Sequence, residues 1–334
     1  MNLAPPSVAT EPKSSLLSSQ SLRRFSIAWL VGGALLQSPL LLAQAPSPGG
    51  AQSNEVEMLM ERVGAPSALA METFQKAGML EVQPHALTKD EQLKIENALV
   101  ALPSLHKRVL LDKLDRIAFV DGIPGEGTGL TSPGEHPGHF DITLRASLIN
   151  ETLSDFLTTK ERRDFSNAGS EAAVTVEGQG VSALQYVVLH ESTHVLDRTC
   201  HITANSNSPF VAGIWADSRK LSASLSSSVL NTTYFRTGKP LDIEKAPAVY
   251  DALSKSPFVS LYSTAASAED FAELVAWHEI RHDGGSLTIK VSGGSQSAKS
   301  QWSPLSFQGV DRRFTYVDDL LAHPERYGCA RYAS

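Results

Sequence analysis

The feature that most constrains this chain is an H-E-x-x-H sequence inside an apolar run, Val187-Val188-Leu189-His190-Glu191-Ser192-Thr193-His194-Val195-Leu196. Residues four apart on an α-helix share a face, about 40° apart around the axis. His190 and His194 can therefore offer two imidazole nitrogens to one zinc ion, and Glu191 falls beside it, where it can act on a water that the metal activates. The flanking residues are uncharged and mostly apolar, as expected of a helix packed in a core. Ser182 and Gln185 have the spacing of a capping box, with Val181 and Tyr186 placed as a hydrophobic staple, so the helix has a plausible start.

The same five-residue pattern occurs again at His278-Glu279-Ile280-Arg281-His282. Here an arginine separates the histidines and Asp283-Gly284-Gly285 follows at once, a helix-stopping sequence. This copy reads as a coincidence of composition, and the first as the metal site.

Two histidines do not complete a catalytic zinc site, which usually takes three protein ligands and keeps one position open. A third histidine at the H-E-x-x-H-x-x-G-x-x-H spacing would fall on Cys200, and the glycine of that pattern on Asp197, so the pattern fails; His201 is one residue out of register. The better source is Ala268-Glu269-Asp270-Phe271-Ala272-Glu273-Leu274-Val275-Ala276-Trp277, which reads as a second helix with Glu269 and Glu273 on one face. Glu269 is the expected third ligand. Glu273, one turn on, is placed to accept a hydrogen bond from a ligand imidazole and fix its orientation. His278 and His282 lie roughly 180° and 220° further around that helix and point away from the site.

His190-Glu191-x-x-His194 followed by Glu269-x-Phe271-x-Glu273 resembles the gluzincin metallopeptidases, in particular the lethal-factor-like branch. The resemblance implies an α+β, zincin-like metallopeptidase domain: a small mixed sheet, an active-site helix carrying H-E-x-x-H and a downstream glutamate helix. It implies His190, His194 and Glu269 as ligands of one Zn2+, Glu191 as general base, and Tyr262, seven residues before Glu269, as oxyanion stabiliser. It also implies that the sheet edge beside the helix binds an extended peptide by β-augmentation. Arg312-Arg313-Phe314-Thr315-Tyr316-Val317 is similar to the basic-aromatic segment that opens the last helix of that group. The likeness covers about residues 110–334, and only its short motifs are specific. One departure is the 75-residue interval between His194 and Glu269, longer than in compact members.

The implied function is an exported zinc endopeptidase acting on protein or peptide substrates. Two other readings stay open: a catalytically silent zinc- or peptide-binding module of the same fold, and a zinc hydrolase of cell-wall peptides. Intact Glu191 and Tyr262 argue against the silent module, which needs neither.

Arg23-Arg24, the apolar stretch from Phe25 and small residues at Ala43-Gln44-Ala45 read as a signal peptide over residues 1–45, with cleavage after Ala45, or after Ala43 or Ala51 because Pro46 is a poor residue to follow a cut. Pro39 argues against a stable anchor, with a retained anchor left as the alternative, so no stable membrane insertion is expected after cleavage and the expected location is periplasmic or secreted. The paired arginines are only a weak sign of twin-arginine export. The net charge of −7, or −9 once the +2 of the first 45 residues is removed, gives no basis for a nucleic-acid partner. Cys200 and Cys329 either form one disulfide, tying the end of the zinc helix to the C-terminus, or are two buried thiols.

Residues 46–53 read as a Pro/Gly/Ser linker, and the helical pattern through Leu114 gives a linker and helical N-terminal region over 46–110, either a subdomain or part of the metallopeptidase domain expected over 111–334. Arg116–Val120 and Phe140–Ile149 read as strands and Glu151–Phe165 as a helix. The loop from Gly122 to Gly138 is too rich in glycine and proline for regular structure, and its His136 and His139 read as exposed loop histidines. The serine-rich stretch 218–228 and the Gly-Lys-Pro turn at 238–240 mark the insertion, either a lid over the cleft or a surface excursion. Ser286–Val291 and Trp302–Phe307 suggest a hairpin around 293–297, and Asp311–Leu321 a closing helix.

Overall fold

The computed structural model describes residues 48–125, 127–167, 169–293 and 301–333, and residues 46–334 make up one compact unit. The signal peptide over 1–45, its cleavage points at Ala43 and Ala45 and the anchor alternative lie outside the described residues.

The chain opens with α1 (Pro48–Met60), β1 (Val63–Gly64), α2 (Ala68–Lys76), β2 (Leu80–Pro84), α3 (Lys89–Val100) and α4 (Ser104–Lys113). The stretch expected as a linker over 46–53 is helical from Pro48 on, and the alternative cleavage point at Ala51 lies inside α1. Proline is tolerated in a first helical turn, and the helix is pinned further along by buried Val56 and Leu59. Leu59, Leu99 and Val109 share one apolar core with Ile117, Leu184 and Leu196, so this helical region belongs to the same unit as the rest.

Next come β3 (Leu114–Ile123), β4 (Gly129–Pro133) and β5 (Phe140–Arg145). Together with β1 and β2 they form a small mixed sheet in the order β1-β3-β5-β4, with β2 also paired to β3. Strand β3 runs parallel to β1 and β5, whereas β4 runs antiparallel to β5 with Thr131 opposite Ile142. The loop expected to be irregular from Gly122 to Gly138 thus contains the edge strand. Gly-Leu-Thr-Ser-Pro has little strand preference of its own; the ladder to β5 decides it, and Pro133 closes the strand, a place where a missing donor costs least. The strand expected over 140–149 ends at Arg145, where the chain tightens into a 3-10 turn over Ala146–Asn150 and buries Leu148 and Ile149.

The remainder is α5 (Leu153–Arg162), β6 (Phe165–Ser166), β7 (Ala173–Gln179), α6 (Ala183–Cys200), α7 (Ala223–Ser226), α8 (Tyr234–Thr237), β8 (Leu241–Asp242), α9 (Ala246–Ser254), α10 (Ser267–His282), β9 (Ser286–Ser292), β10 (Gln301–Trp302) and α11 (Gln308–Ala322). Strands β10, β9 and β7 form a second, antiparallel sheet. The expected hairpin is therefore present, although residues 294–297 of its turn lie outside the described residues, and Pro304–Ser306 is a 3-10 turn rather than strand. Strand β7 has no counterpart in the sequence reading.

Helix α6 is central, packed by α3, α4, α5, α10 and β4, which explains why nearly every residue from Ala183 to Asp197 is buried. Its start is capped by the Ser182 side chain, which accepts a hydrogen bond from the Gln185 amide. Its end turns on His201 in the left-handed conformation at φ 55°, and Cys200 is bonded to Cys329, closing a 129-residue separation. Among the described residues no helix is long and apolar enough to cross a membrane.

Candidate metal centre

Helices α6 and α10 pack together and bring His190, His194 and Glu269 to one point, with a ligand atom of each within 4.8 Å of the others. Glu269 Oε2 lies 3.2 Å from His190 Nε2 and 3.4 Å from His194 Nε2. Burial alone would push the Glu269 carboxyl up, but His194 and His190 outweigh it and hold the group well below its usual range. Burial likewise opposes a charge on His190, and the carboxylates of Glu269 and Glu273 overcome it, raising its pKa to about 9. An imidazole that attracts a proton between two carboxylates is electrostatically suited to a cation, and metal binding would displace that proton. Two imidazoles and one carboxylate are a donor set that leaves one position of a four-coordinate ion open. The residues present fit a metal ion.

Four groups hold Glu273 behind this cluster. Tyr186 Oη donates to its Oε1, Lys160 Nζ lies 3.1 Å from the same oxygen, and Ser260 Oγ donates to Oε2 at 2.7 Å. His190 Nδ1 is 3.3 Å from Oε1. Burial would raise the Glu273 pKa, yet Lys160 and His190 leave it far below that of an ordinary glutamate.

Glu191 is held from the sheet side. Thr131, on edge strand β4, donates its hydroxyl to Glu191 Oε2 at 2.7 Å, and Arg198 of α6 donates back to the Thr131 carbonyl at 2.8 Å. A Cβ on Gly129 would stand 2.5 Å from Glu191 Oε1, so this strand gives the carboxylate room only because residue 129 is glycine. Gly127, Thr128, Gly129, His190, Glu191 and Tyr262 line a cavity of about 250 Å³, and Phe156, Tyr186, Val187 and Phe235 make its apolar wall.

Tyr262 sits at the mouth of the cluster, its ring stacked on that of His190 with centroids 5.9 Å apart and 28° between planes. Burial first, then the charges of Glu269 and Glu191 and a hydrogen bond to Glu269, push its hydroxyl well above the usual tyrosine value. It is therefore a protonated donor throughout the physiological range.

Helix α10 is oriented from outside the cluster. Asp270, fully buried, accepts from both Arg313 nitrogens at 2.8 Å and from Trp215 Nε1 at 2.9 Å. The Ser267 amide donates to the Ser218 carbonyl, and Phe210 packs edge-on against Phe271. Trp215, Ser218 and Phe210 belong to the insertion between the motifs, which thus braces the glutamate helix and, through Tyr234 and Phe235, also walls the cavity. Arg313, read from sequence only as part of a basic-aromatic segment, is the anchor of that bracing.

The second H-E-x-x-H copy does not form a cluster. His278 Nδ1 is 2.7 Å from Glu279 and its Nε2 2.8 Å from Asp318, while His282 is exposed beside Asp283. His136 is exposed and engages Asp115, with half-buried His139 edge-on to its ring. Sequence reasoning missed Thr131 and Gly129, hidden in a glycine-rich stretch, and Lys160, a lone lysine with no local signal; Tyr186 was legible only as a packing residue. Neither protein-family models, nor curated proteins, nor solved structures give a match to this chain.

Proposed function

We propose that the chain is an exported zinc endopeptidase with a zincin-like fold, of the gluzincin type and nearest to its lethal-factor-like branch. The observation that carries this reading is the convergence of His190, His194 and Glu269 from two helices, beside a carboxylate and a phenol that line one cavity. A zinc ion held by those three side chains would lower the pKa of a water to about 7 and polarise the scissile carbonyl.

The remaining chemistry belongs to the chain. Glu191 takes the water proton and passes it to the leaving amine. Its Oε2 is steadied by Thr131, leaving Oε1 to receive the proton. Tyr262, kept protonated, turns its hydroxyl from Glu269 to the developing oxyanion, a contribution of roughly 3–4 kcal/mol for a donor of this kind. Strand β4, paired on one side to β5, offers its other side as the edge along which an extended peptide would lie across the cavity. The disulfide between Cys200 and Cys329 supports an oxidising, periplasmic or extracellular location.

Cleavage of a diverse peptide library by the zinc-loaded protein, beside its Glu191→Gln form, tests the reading. Cleavage by the first alone is expected, with equal zinc content in both. Zinc-replete protein that cleaves nothing would shift the assignment to a binding module, and cleavage confined to cell-wall peptides would name a different substrate class.

A further inference from the structure

Lys160 touches both sides of the centre. It projects from α5, its side chain is 16% exposed, and its ammonium lies 3.1 Å from Glu273 Oε1. The same ammonium stands 3.8 Å from the centre of the Tyr262 ring and 3.5 Å from the Tyr186 hydroxyl. Glu273 in turn lies against His190 Nδ1, and Tyr262 is stacked on the His190 ring. One cation thus meets the carboxylate behind a metal-binding imidazole and the phenol beside it.

We propose that Lys160 is a positioning residue of the metal centre, holding Glu273 against His190 and fixing the Tyr262 ring over the cavity through its face. Metal retention and the placement of the Tyr262 hydroxyl are then coupled through one side chain. The turnover part of this proposal rests on the peptidase reading; the metal part does not.

The physical reasons differ for the two arms. Partners that fix a ligand imidazole raise metal affinity because the imidazole loses no orientational freedom on binding. Lys160 supplies a charge partner to a buried carboxylate whose Oε1 also faces His190 Nδ1, and so holds that oxygen at the imidazole. For Tyr262, a cation over an aromatic face is attracted by the electron density of the ring. That density grows as the hydroxyl donates to a developing oxyanion, so the attraction is stronger in the transition state than before it. A compact ammonium suits this position, since it can meet a carboxylate oxygen and a ring face at once; a planar guanidinium is wider and better matched to a carboxylate edge.

The test uses the full mature protein, its Lys160→Met and Lys160→Arg variants, and Lys160→Met combined with Tyr262→Phe. Zinc affinity is read by competition with a chromophoric chelator, independently of activity, and kcat and KM are read on the best library peptide. Lys160→Met is expected to weaken zinc about tenfold. It should also lower kcat about tenfold while moving KM less than about twofold. Lys160→Arg should restore most of the zinc affinity. In the Tyr262→Phe background the kcat loss from Lys160→Met should shrink to under about twofold, because the hydroxyl through which it acts is gone. Wild-type zinc affinity in Lys160→Met overturns the proposal, and so does an undiminished kcat loss without the Tyr262 hydroxyl. A circular dichroism melt accompanies each variant; if Lys160→Met does not fold, Lys160→Gln carries the same comparisons. A wild-type protein that binds zinc but cleaves nothing would sink the peptidase reading, and the chelator competition would still decide the role of Lys160.

Discussion

Two H-E-x-x-H sequences lie in this protein, both on helices and both with their first histidine buried, and they end in opposite circumstances. On α6, His190 and His194 face a glutamate from another helix, so their nitrogens converge on one oxygen. On α10, His278 spends both ring nitrogens on Glu279 and Asp318, and His282 faces solvent. The middle glutamates differ as well. Glu191 is gripped by Thr131 in a slot that only glycine at 129 leaves open, whereas Glu279 is bonded to the histidine beside it. A helical i,i+4 pair of histidines therefore supplies half a site. What makes the other half is a third donor brought by tertiary packing, together with the absence of nearer partners.

The largest expected effect separates the copies outright. His190→Ala or His194→Ala should abolish stoichiometric zinc binding, since either removes one of three donors, while His278→Ala and His282→Ala should each leave one zinc per chain. Elemental analysis after gel filtration of the four variants reads this directly. Loss of zinc in His278→Ala, with the fold intact, would break the comparison and reopen the α10 copy as a metal site.

Gly129→Ala sharpens the contrast between the glutamates. The added methyl meets the flexible end of the Glu191 side chain rather than backbone, so the carboxylate can swing aside and stability should change by less than about 1 kcal/mol. Turnover should suffer far more, roughly a hundredfold, the usual penalty for an ångström of misplacement at a reacting centre. Zinc content should stay at the wild-type level. A Gly129→Ala protein as active as wild type would mean that the slot does not position Glu191.

The histidine helix, the glutamate pair at 269 and 273 and the separation of the second copy from their cluster were legible because each depends on local information: apolar flanks, helical spacing, a helix-stopping Asp-Gly-Gly. Strand β4 was not legible, since a Gly-Leu-Thr-Ser-Pro segment becomes a strand only through its ladder to β5. The same holds for the supports. Lys160 meets Glu273 across 113 residues, and Arg313 meets Asp270 across 43, so neither leaves a periodic trace. The insertion gave a serine-rich composition but no hint that Trp215 would brace α10 through Asp270. What local patterns reveal is thus the three side chains that meet at the cluster, and not the groups one layer further out that hold them.

The smallest effect concerns His278, both of whose ring nitrogens face carboxylates. Burial works against its positive charge, but hydrogen bonds to Glu279 and Asp318 prevail and raise its pKa above the ordinary histidine value. A histidine whose folded pKa is raised stabilises the protein fully below its unfolded pKa, about 6.5, and loses that contribution as pH rises through the folded value. Asp318 is largely exposed, so solvent and salt screen the pair and the contribution should be about 1 kcal/mol. Denaturant melts of wild type and His278→Ala should therefore differ more at pH 5.5 than at pH 9. The part of the gap that survives at pH 9 reports the lost packing of the imidazole against Phe314, whose ring centre is 5.4 Å away. A gap of constant size across that range would show that His278 is held by packing alone. A gap that narrows as pH rises, with zinc content unchanged, would show this histidine acting as an ion-pair partner of Glu279 and Asp318.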